Sequence, residues 1–141
     1  MYITATDITV VMQVSDVIAL TDDGDIGVQN TALIESAIVQ ADSVIDSYLG
    51  SRYQLPLSIV PEIVKSIAVS VTVWVLCQRG AFNPTETRIK VYDDAIKFLK
   101  DIAKGVAGLG LEEKTAKNPD SSSTNKTTND RVFTQDTLKG F

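Results

Sequence analysis

The sequence predicts an all-α protein, a small bundle of about four to five helices with an extended C-terminal arm. In residues 31–49 and 84–104, apolar side chains recur at the three-and-four spacing of a helix with one buried face. Between them, Pro61–Arg79 contains no glycine and is too long for a usual strand. Residues beyond 111 are at first polar and too poor in apolar side chains to form a core. The predicted organisation is a helical body, residues 1–111, a flexible spacer, residues 112–130, and a C-terminal arm, residues 131–141.

Two short helices are expected before residue 21. Asp7 is the predicted N-cap of the first helix and Ser15 that of the second. The apolar residues assigned to them are Ile8, Val11 and Met12 in the first and Val17, Ile18 and Leu20 in the second.

Residues 21–30 are interpreted as an acidic loop, because three aspartates and two glycines favour turns. The aspartates raise the question of an ion at Asp22–Asp25. An EF-hand loop needs oxygen ligands at positions 1, 3 and 5 and a glutamate at position 12. Counting from Asp23 puts Gly27 at position 5 and Ile34 at position 12, and counting from Asp22 does no better. A plain loop is the preferred interpretation.

The helix over residues 31–49 has the clearest pattern. Asn30 or Thr31 can cap its start, and Gly50 suits a left-handed residue after its end. Asp42 and Asp46 lie one turn apart on its polar side. Paired carboxylates can serve acid–base chemistry, but nothing in the pattern indicates a pocket here. A solvated or subunit-facing edge is the preferred interpretation.

A chain reversal follows this helix, and the rest of the chain is organised around it. Large apolar and aromatic side chains are concentrated within Ala41–Leu57, so elements on both sides must pack where the chain turns. We call this reversal the corner. Its residues are Tyr48, Gly50, Arg52, Tyr53, Leu55 and Pro56.

The next segment, Pro61–Arg79, carries two competing patterns. Alternating valines would suit a strand, but the length, the starting proline and the glycine at position 80 favour a helix. Apolar residues occupy nearly its whole circumference. This predicts a central helix, with Trp74 and Cys77 in the core.

The last helix, residues 84–104, is predicted to begin with Asn83 as N-cap, Pro84 at its first position and Glu86 at its third. Residues 105–111 are expected to form a flexible connector. The predicted seam comprises Ile89, Tyr92, Ile96, Leu99 and Ala103. Acidic residues interrupt the basic ones along this helix, which disfavours a nucleic-acid-binding face.

The composition disfavours an enzyme. The chain has no histidine and one cysteine, which removes the commonest general base, every Ser-His or Cys-His pair and a zinc site. No catalytic, cofactor-binding or metal-binding residue is therefore predicted. The N-terminus lacks a signal-peptide pattern, and residues 63–77 are too short for a membrane span and include Lys65. We expect a soluble protein without membrane contact.

The net charge of −5 is unevenly distributed. Residues 1–46 contain eight acids and no base, whereas residues 47–111 contain eight bases and five acids. Such a chain can associate head to tail with copies of itself, and solvated faces are the alternative interpretation. The subunit-interface candidates are Asp42 and Asp46 on the acidic side and Arg88, Lys97 and Lys100 on the basic side.

The arm, residues 131–141, brings apolar and aromatic side chains back after the polar spacer. This composition is typical of a docking segment, and a frayed tail is the alternative. The predicted docking residues are Arg131, Val132, Phe133, Leu138 and Phe141.

Several motifs occur in a fixed order along the chain. They are Met1-Tyr2-Ile3-Thr4, Leu20-Thr21-Asp22, Ala41-Asp42-x-x-Ile45-Asp46-x-Tyr48-Leu49, Arg52-Tyr53-x-Leu55-Pro56-Leu57 and the closing Arg131-Val132-Phe133 with Asp136-Thr137-Leu138-Lys139-Gly140-Phe141. Together they resemble the Mu-like phage and prophage neck-protein family.

The resemblance implies a virion structural protein without catalysis or cofactor, similar in setting to the head–tail connector (adaptor) proteins of long-tailed phages. Such connectors form a ring, typically dodecameric, under the portal protein. The ring leaves a channel for genomic DNA and a platform for the next neck or tail-terminator protein. The implied location is the virion neck, reached from the host cytoplasm during assembly.

Two other classes stay open. A small helical interaction module outside the virion, such as a chaperone or an antitoxin-like partner, would have the same body. An enzyme or a DNA-binding regulator is disfavoured by the missing histidine and by the lack of a basic face.

Overall fold

The computed structural model describes residues 1–79 and 84–114, and this part of the chain forms five α-helices without a β-strand. A single bridge pair joins Tyr53 and Glu113. The predicted all-α class is confirmed. The helices are α1 (Ala5–Val11), α2 (Val14–Thr21), α3 (Thr31–Leu49), α4 (Glu62–Arg79) and α5 (Glu86–Ala103).

Helices α3, α4 and α5 pack against one another, and α1 and α2 cover α3 and α4. Arg79 at the end of α4 pairs with Asp23, which precedes α3, at 2.9 Å. Arg52, which follows α3, donates to the carbonyl oxygen of Ile102 in the last turn of α5 at 2.8 Å. These contacts mean that α4 runs opposite to α3 and α5. The bundle therefore has a loop end, at residues 22–30, and a corner end.

The prediction of a central helix over Pro61–Arg79 is confirmed, because α4 contacts all four other helices. Its buried residues are Val64, Ile67, Ala68, Val71, Thr72, Val73, Leu76 and Cys77. The Thr72 hydroxyl donates to the Ala68 carbonyl at 2.7 Å, which satisfies this polar group inside the core. Trp74 is not a core residue as predicted. It is half-buried and stacks on Tyr92 with ring centroids 4.7 Å apart.

Helix α3 follows its predicted pattern. The Asn30 side chain accepts a hydrogen bond from the Leu33 amide at 3.4 Å, so Asn30 is the N-cap. The buried stripe consists of Ile34, Ala37, Ile38, Ala41, Ile45 and Leu49.

The starts of α1 and α2 differ from prediction. Thr4 is the N-cap of α1, and Asp7 lies at the third helical position. The Asp7 carboxylate accepts from the Thr4 amide at 2.7 Å and from its hydroxyl at 2.8 Å, so an aspartate taken for a cap serves the cap from inside the first turn. Helix α2 begins at Val14 with Gln13 as N-cap, not at Ser15.

Helix α5 begins two residues later than predicted, with Thr85 as its N-cap, and Pro84 precedes it. The predicted cap Asn83 lies outside the described residues. Among the predicted seam residues, Leu99 is buried, whereas Ile89 is exposed. Tyr92 and Ile96 are partly buried and pack against the core as predicted, whereas the buried positions of α5 are Ala95, Leu99 and Ile102, so the seam is rotated toward Ala95 and Ile102.

Candidate functional site

The corner begins where Gly50 closes the last turn of α3. Gly50 has φ −59° and ψ −19°, so the prediction of a left-handed residue is wrong. A Cβ at this position would lie 2.9 Å from the Asp46 carbonyl oxygen and 3.4 Å from the Leu55 side chain. Glycine thus suits this position, because a Cβ would clash with the preceding turn of α3 and crowd Leu55, which packs against the core.

Arg52 is the central residue of the corner. Its Nη1 donates to the Ile102 carbonyl at 2.8 Å and to the Ala107 carbonyl at 2.9 Å, and its Nη2 forms an ion pair with Glu113. The hydrogen bond that the guanidinium donates to the Glu113 carboxylate holds the pKa of Arg52 above its ordinary value. One side chain therefore ties the end of α3 to the end of α5 and to the segment that follows α5.

Tyr53 fixes the same segment from inside the protein. Its side chain is fully buried, and its phenol oxygen accepts a hydrogen bond from the Leu109 amide at 3.0 Å. Ala107, Leu109 and Leu111 pack against the core. Residues 105–111 are thus a bound segment, and the prediction of a flexible connector is wrong.

The bound segment continues past the predicted body boundary at residue 111. The Lys114 amide donates to the Arg52 carbonyl at 2.7 Å, and the Lys114 Nζ donates to the Gly50 carbonyl at 2.7 Å. Glu113 faces Tyr53 across the bridge. We call residues 105–114 the strap, because they lie across the corner and are held to it at both ends.

A cleft opens between the corner and the strap. Its volume is about 880 Å³, which lies within the usual range of ligand-binding clefts in proteins. Ile59 at its edge is 68% exposed, and Leu57 is partly buried against the core. The strap contributes Glu112 and Glu113 as acidic groups. The lining residues are Tyr53, Gln54, Pro56, Leu57, Ser58, Ile59 and residues 110–114.

The acidic pair on α3 is engaged by the N-terminal segment. Asp42 accepts from the Tyr2 amide at 3.3 Å and lies 3.4 Å from the terminal ammonium group, and Asp46 accepts from the Tyr2 hydroxyl. Burial, followed by the hydrogen bond to Asp46, raises the pKa of the Tyr2 phenol well above its ordinary value. The expectation of a solvated edge is therefore corrected, whereas a role of Asp42 and Asp46 between subunits stays a prediction.

The basic candidates on α5 lie in different surroundings. Arg88 is half-buried near the loop end, where it donates to Asp16 at 3.4 Å and to the Cys77 sulfur at 3.6 Å. Lys97 and Lys100 are exposed. Arg88 thus connects α5 to α2 and α4 within one chain. No sequence pattern indicated that Asp16, 72 residues away, is its partner.

The loop end is built around one carboxylate. Asp22 Oδ1 accepts from the Ile26 amide at 3.0 Å, and Oδ2 accepts from the Gly27 amide at 2.6 Å. These hydrogen bonds lower the pKa of Asp22. Within residues 1–79 and 84–114, no three acidic, cysteine or histidine side chains are grouped as a metal site requires.

An apolar groove crosses the outer face of α1, α4 and α5. Val11 is 67% exposed and Val91 47% exposed, and both line the groove together with Val69 and Val73. Isolated exposed valines are ordinary, but a contiguous apolar groove favours contact with another protein.

The five docking residues predicted in the arm, Arg131, Val132, Phe133, Leu138 and Phe141, lie outside the described residues. No helix in the described part of the chain has the length and apolar character needed to cross a membrane.

Comparison with known proteins gives one family. Residues 2–127 match a family model described as bacteriophage Mu Gp36. The chain is 30% identical over 115 residues to gene product J of Escherichia phage Mu, an alignment that covers 82% of this chain and 79% of that protein. It is 31% identical over 110 residues to the Mu-like prophage FluMu protein gp36 of Haemophilus influenzae, covering 78% and 76%. The match includes most of the spacer and stops before the arm.

Proposed function

The chain belongs to the bacteriophage Mu Gp36 family, and from this premise we propose that it is a head–tail connector (adaptor) of the virion neck. In this proposal, copies of the chain form a ring, dodecameric in the first instance, between the portal protein and the next neck or tail-terminator protein. Genomic DNA passes through the ring without sequence-specific contact. The proposal contains no catalytic step and no cofactor.

The observation that carries the proposal is the anchored exit of the chain at Lys114. Two hydrogen bonds hold this residue to the corner, so whatever follows it starts from a fixed point on a rigid body. A fixed start followed by a polar spacer and an apolar arm suits a protein that reaches a partner in an assembly. We propose that the arm, residues 131–141, binds the portal protein.

The distribution of charge supports a ring of identical copies. The loop end carries Asp22 and Asp25 besides Asp23, which is paired with Arg79, whereas the exposed lysines Lys97 and Lys100 lie in the half of α5 nearer to the corner. Different charges at the two ends favour a head-to-tail contact over a two-fold symmetric one. The apolar groove of α1, α4 and α5 adds a surface that a second copy would cover.

The test of the portal contact is co-purification. The chain is produced with the portal protein of the same phage, as the full chain and as a chain that lacks residues 131–141. We expect the full chain to be retained on tagged portal and the shortened chain to be lost, while both give the same helical circular dichroism spectrum. Equal retention of both chains would refute the role assigned to the arm.

The test of the ring is a direct count of copies. Native mass spectrometry or electron microscopy of the complex with portal is expected to give a closed ring of about twelve copies. Mass spectrometry of purified virions tests the location, and absence from virions would favour the interaction-module alternative. A gel-shift titration with double-stranded DNA is expected to give weak binding that does not depend on sequence and is abolished by moderate salt.

A further inference from the structure

We propose that the cleft between the corner and the strap is a docking site for the arm of the same chain, residues 131–141, before assembly. This inference rests on the proposed function, because it concerns the state of the arm before it meets the portal. Three features support the arm as the occupant of the cleft: the position of Lys114, the side chains that line the cleft and the backbone of the strap.

The position of the chain exit is the first reason. Lys114 lines the cleft and is fixed there by its bonds to Arg52 and Gly50. Val132 follows Lys114 by 18 peptide units, and a random-coil chain of that length has a root-mean-square extension of roughly 21–25 Å. The arm is therefore tethered within reach of the cleft, at an effective concentration on the order of millimolar. A weak intrinsic affinity is enough to fill the site.

The chemistry of the cleft is the second reason. Its apolar wall contains Pro56, Leu57 and the exposed Ile59, while the strap side offers the exposed carboxylate of Glu112 beside the Arg52–Glu113 ion pair. The arm begins with a cation, Arg131, followed directly by the apolar pair Val132 and Phe133. Apolar side chains of the arm against the wall and Arg131 beside Glu112 would satisfy both sides of the cleft.

The backbone of the strap is the third reason. Tyr53 and Glu113 already form an isolated antiparallel bridge, so the backbone of the strap pairs in β geometry at one position beside the cleft. Val132, Phe133 and Thr134 have high β-propensity. An arm that lies extended along the strap adds backbone hydrogen bonds to the side-chain contacts.

Disulfide trapping in the full chain tests the proposal. Ile59→Cys is combined with Val132→Cys, and the control combines Val39→Cys with Val132→Cys. Val39 is 54% exposed and lies ten residues before the end of α3, or ~15 Å along the helix, so the tethered arm reaches both positions. The native Cys77 is buried and is kept in all variants. Variants with only one of the two introduced cysteines measure any disulfide that Cys77 forms.

We expect the Ile59–Val132 pair to form an intramolecular disulfide at least about tenfold faster than the control pair, at a rate independent of protein concentration. Equal rates for the two pairs would overturn the proposal. A cross-linked dimer whose yield rises with concentration would also overturn it, because the occupant would then be the arm of a second copy.

Phe133→Asp in the Ile59–Val132 background separates docking from chance contact, since it changes only the arm and leaves the folded body intact. We expect the rate to fall to that of the control pair, and an unchanged rate would refute apolar docking. The cross-linked chain is then expected to lose portal binding and to regain it on reduction. If the uncross-linked chain never binds portal, the proposed function fails while the trapping result stands by itself.

Discussion

At each end of the bundle one charged side chain binds backbone groups, and these two side chains differ in reach. At the loop end, Asp22 accepts from amides four and five residues ahead of it. At the corner end, Arg52 donates to carbonyls 50 and 55 residues away. A local clamp can form whenever its own loop is in place, whereas a distant clamp forms only when α3 and α5 are packed. We therefore expect the turn held by Asp22, residues 22–27, to open by itself and the corner to open with the whole bundle.

Arg52→Ala should have the largest effect of the changes considered. It removes the donor from the carbonyls of Ile102 and Ala107 and the partner from Glu113, all in one place. We expect a clear fall in the free energy of unfolding, measured by urea denaturation. Amide hydrogen exchange should show loss of protection throughout the strap, residues 105–114.

Arg79→Ala is the matched control, because it deletes the same side chain from an ion pair at the loop end. The Arg79–Asp23 pair is partly exposed, so its loss should cost only about 0–1 kcal/mol. Equal losses for Arg52→Ala and Arg79→Ala would contradict the distinction between the two ends.

Gly50→Ala should give the next largest effect. The added Cβ meets the Asp46 carbonyl at 2.9 Å and the Leu55 side chain at 3.4 Å, so the corner must shift. We expect a loss of about 1–2 kcal/mol in the free energy of unfolding, typical of overpacking. Gly24→Ala is the control and should cost less, because the nearest atom to its added Cβ is the side-chain Cγ1 of Ile26 at 3.2 Å, and no backbone atom lies closer.

Tyr53→Phe tests one bond of the corner. It keeps the buried ring but removes the oxygen that accepts from the Leu109 amide. A loss of about 1 kcal/mol is expected from urea denaturation, together with faster exchange of the Leu109 amide. Unchanged protection of that amide would show that the strap is held by Arg52 and Lys114 without Tyr53.

Asp22→Asn should have the smallest effect, and its signature is in pH. The pKa of Asp22 in the folded protein is lowered by the amides of Ile26 and Gly27. Its contribution to stability is therefore present above the unfolded pKa of about 4 and is lost as pH falls through the folded value. Amide exchange at Ile26 and Gly27 should become less protected with acidification in the native chain. In the variant the same protection should be nearly independent of pH in this range.

The features of the fold that depend on the periodic spacing of apolar residues could be predicted from the sequence. The three long helices, the central place of α4 and the buried stripe of α3 follow from apolar spacing and length, and each is confirmed. The helix starts were less certain because several polar residues near each start can act as caps. Asp7 was taken for a cap, although it binds the true cap, Thr4.

The corner itself was identified by its aromatic and apolar content, but its mechanism was not. Arg52 finds its acceptors 50 or more residues away, and Tyr2 finds Asp46 at a separation of 44 residues. No local pattern marks such pairs, since a lone arginine or tyrosine has the same appearance in sequence whether it is solvated or bonded. The strap was predicted to be flexible for the same reason, because glycines are visible in the sequence and distant donors are not.

The attachment of Lys114 also defines a mechanical path. Tension applied to the chain beyond this residue acts on its two hydrogen bonds, whose acceptors are the carbonyl oxygens of Arg52 and Gly50, directly after α3. The guanidinium of Arg52 then transmits part of the load to the end of α5 through the Ile102 carbonyl. A pulling force would thereby be distributed over α3 and α5, so the strap protects the bundle from a load on any single helix.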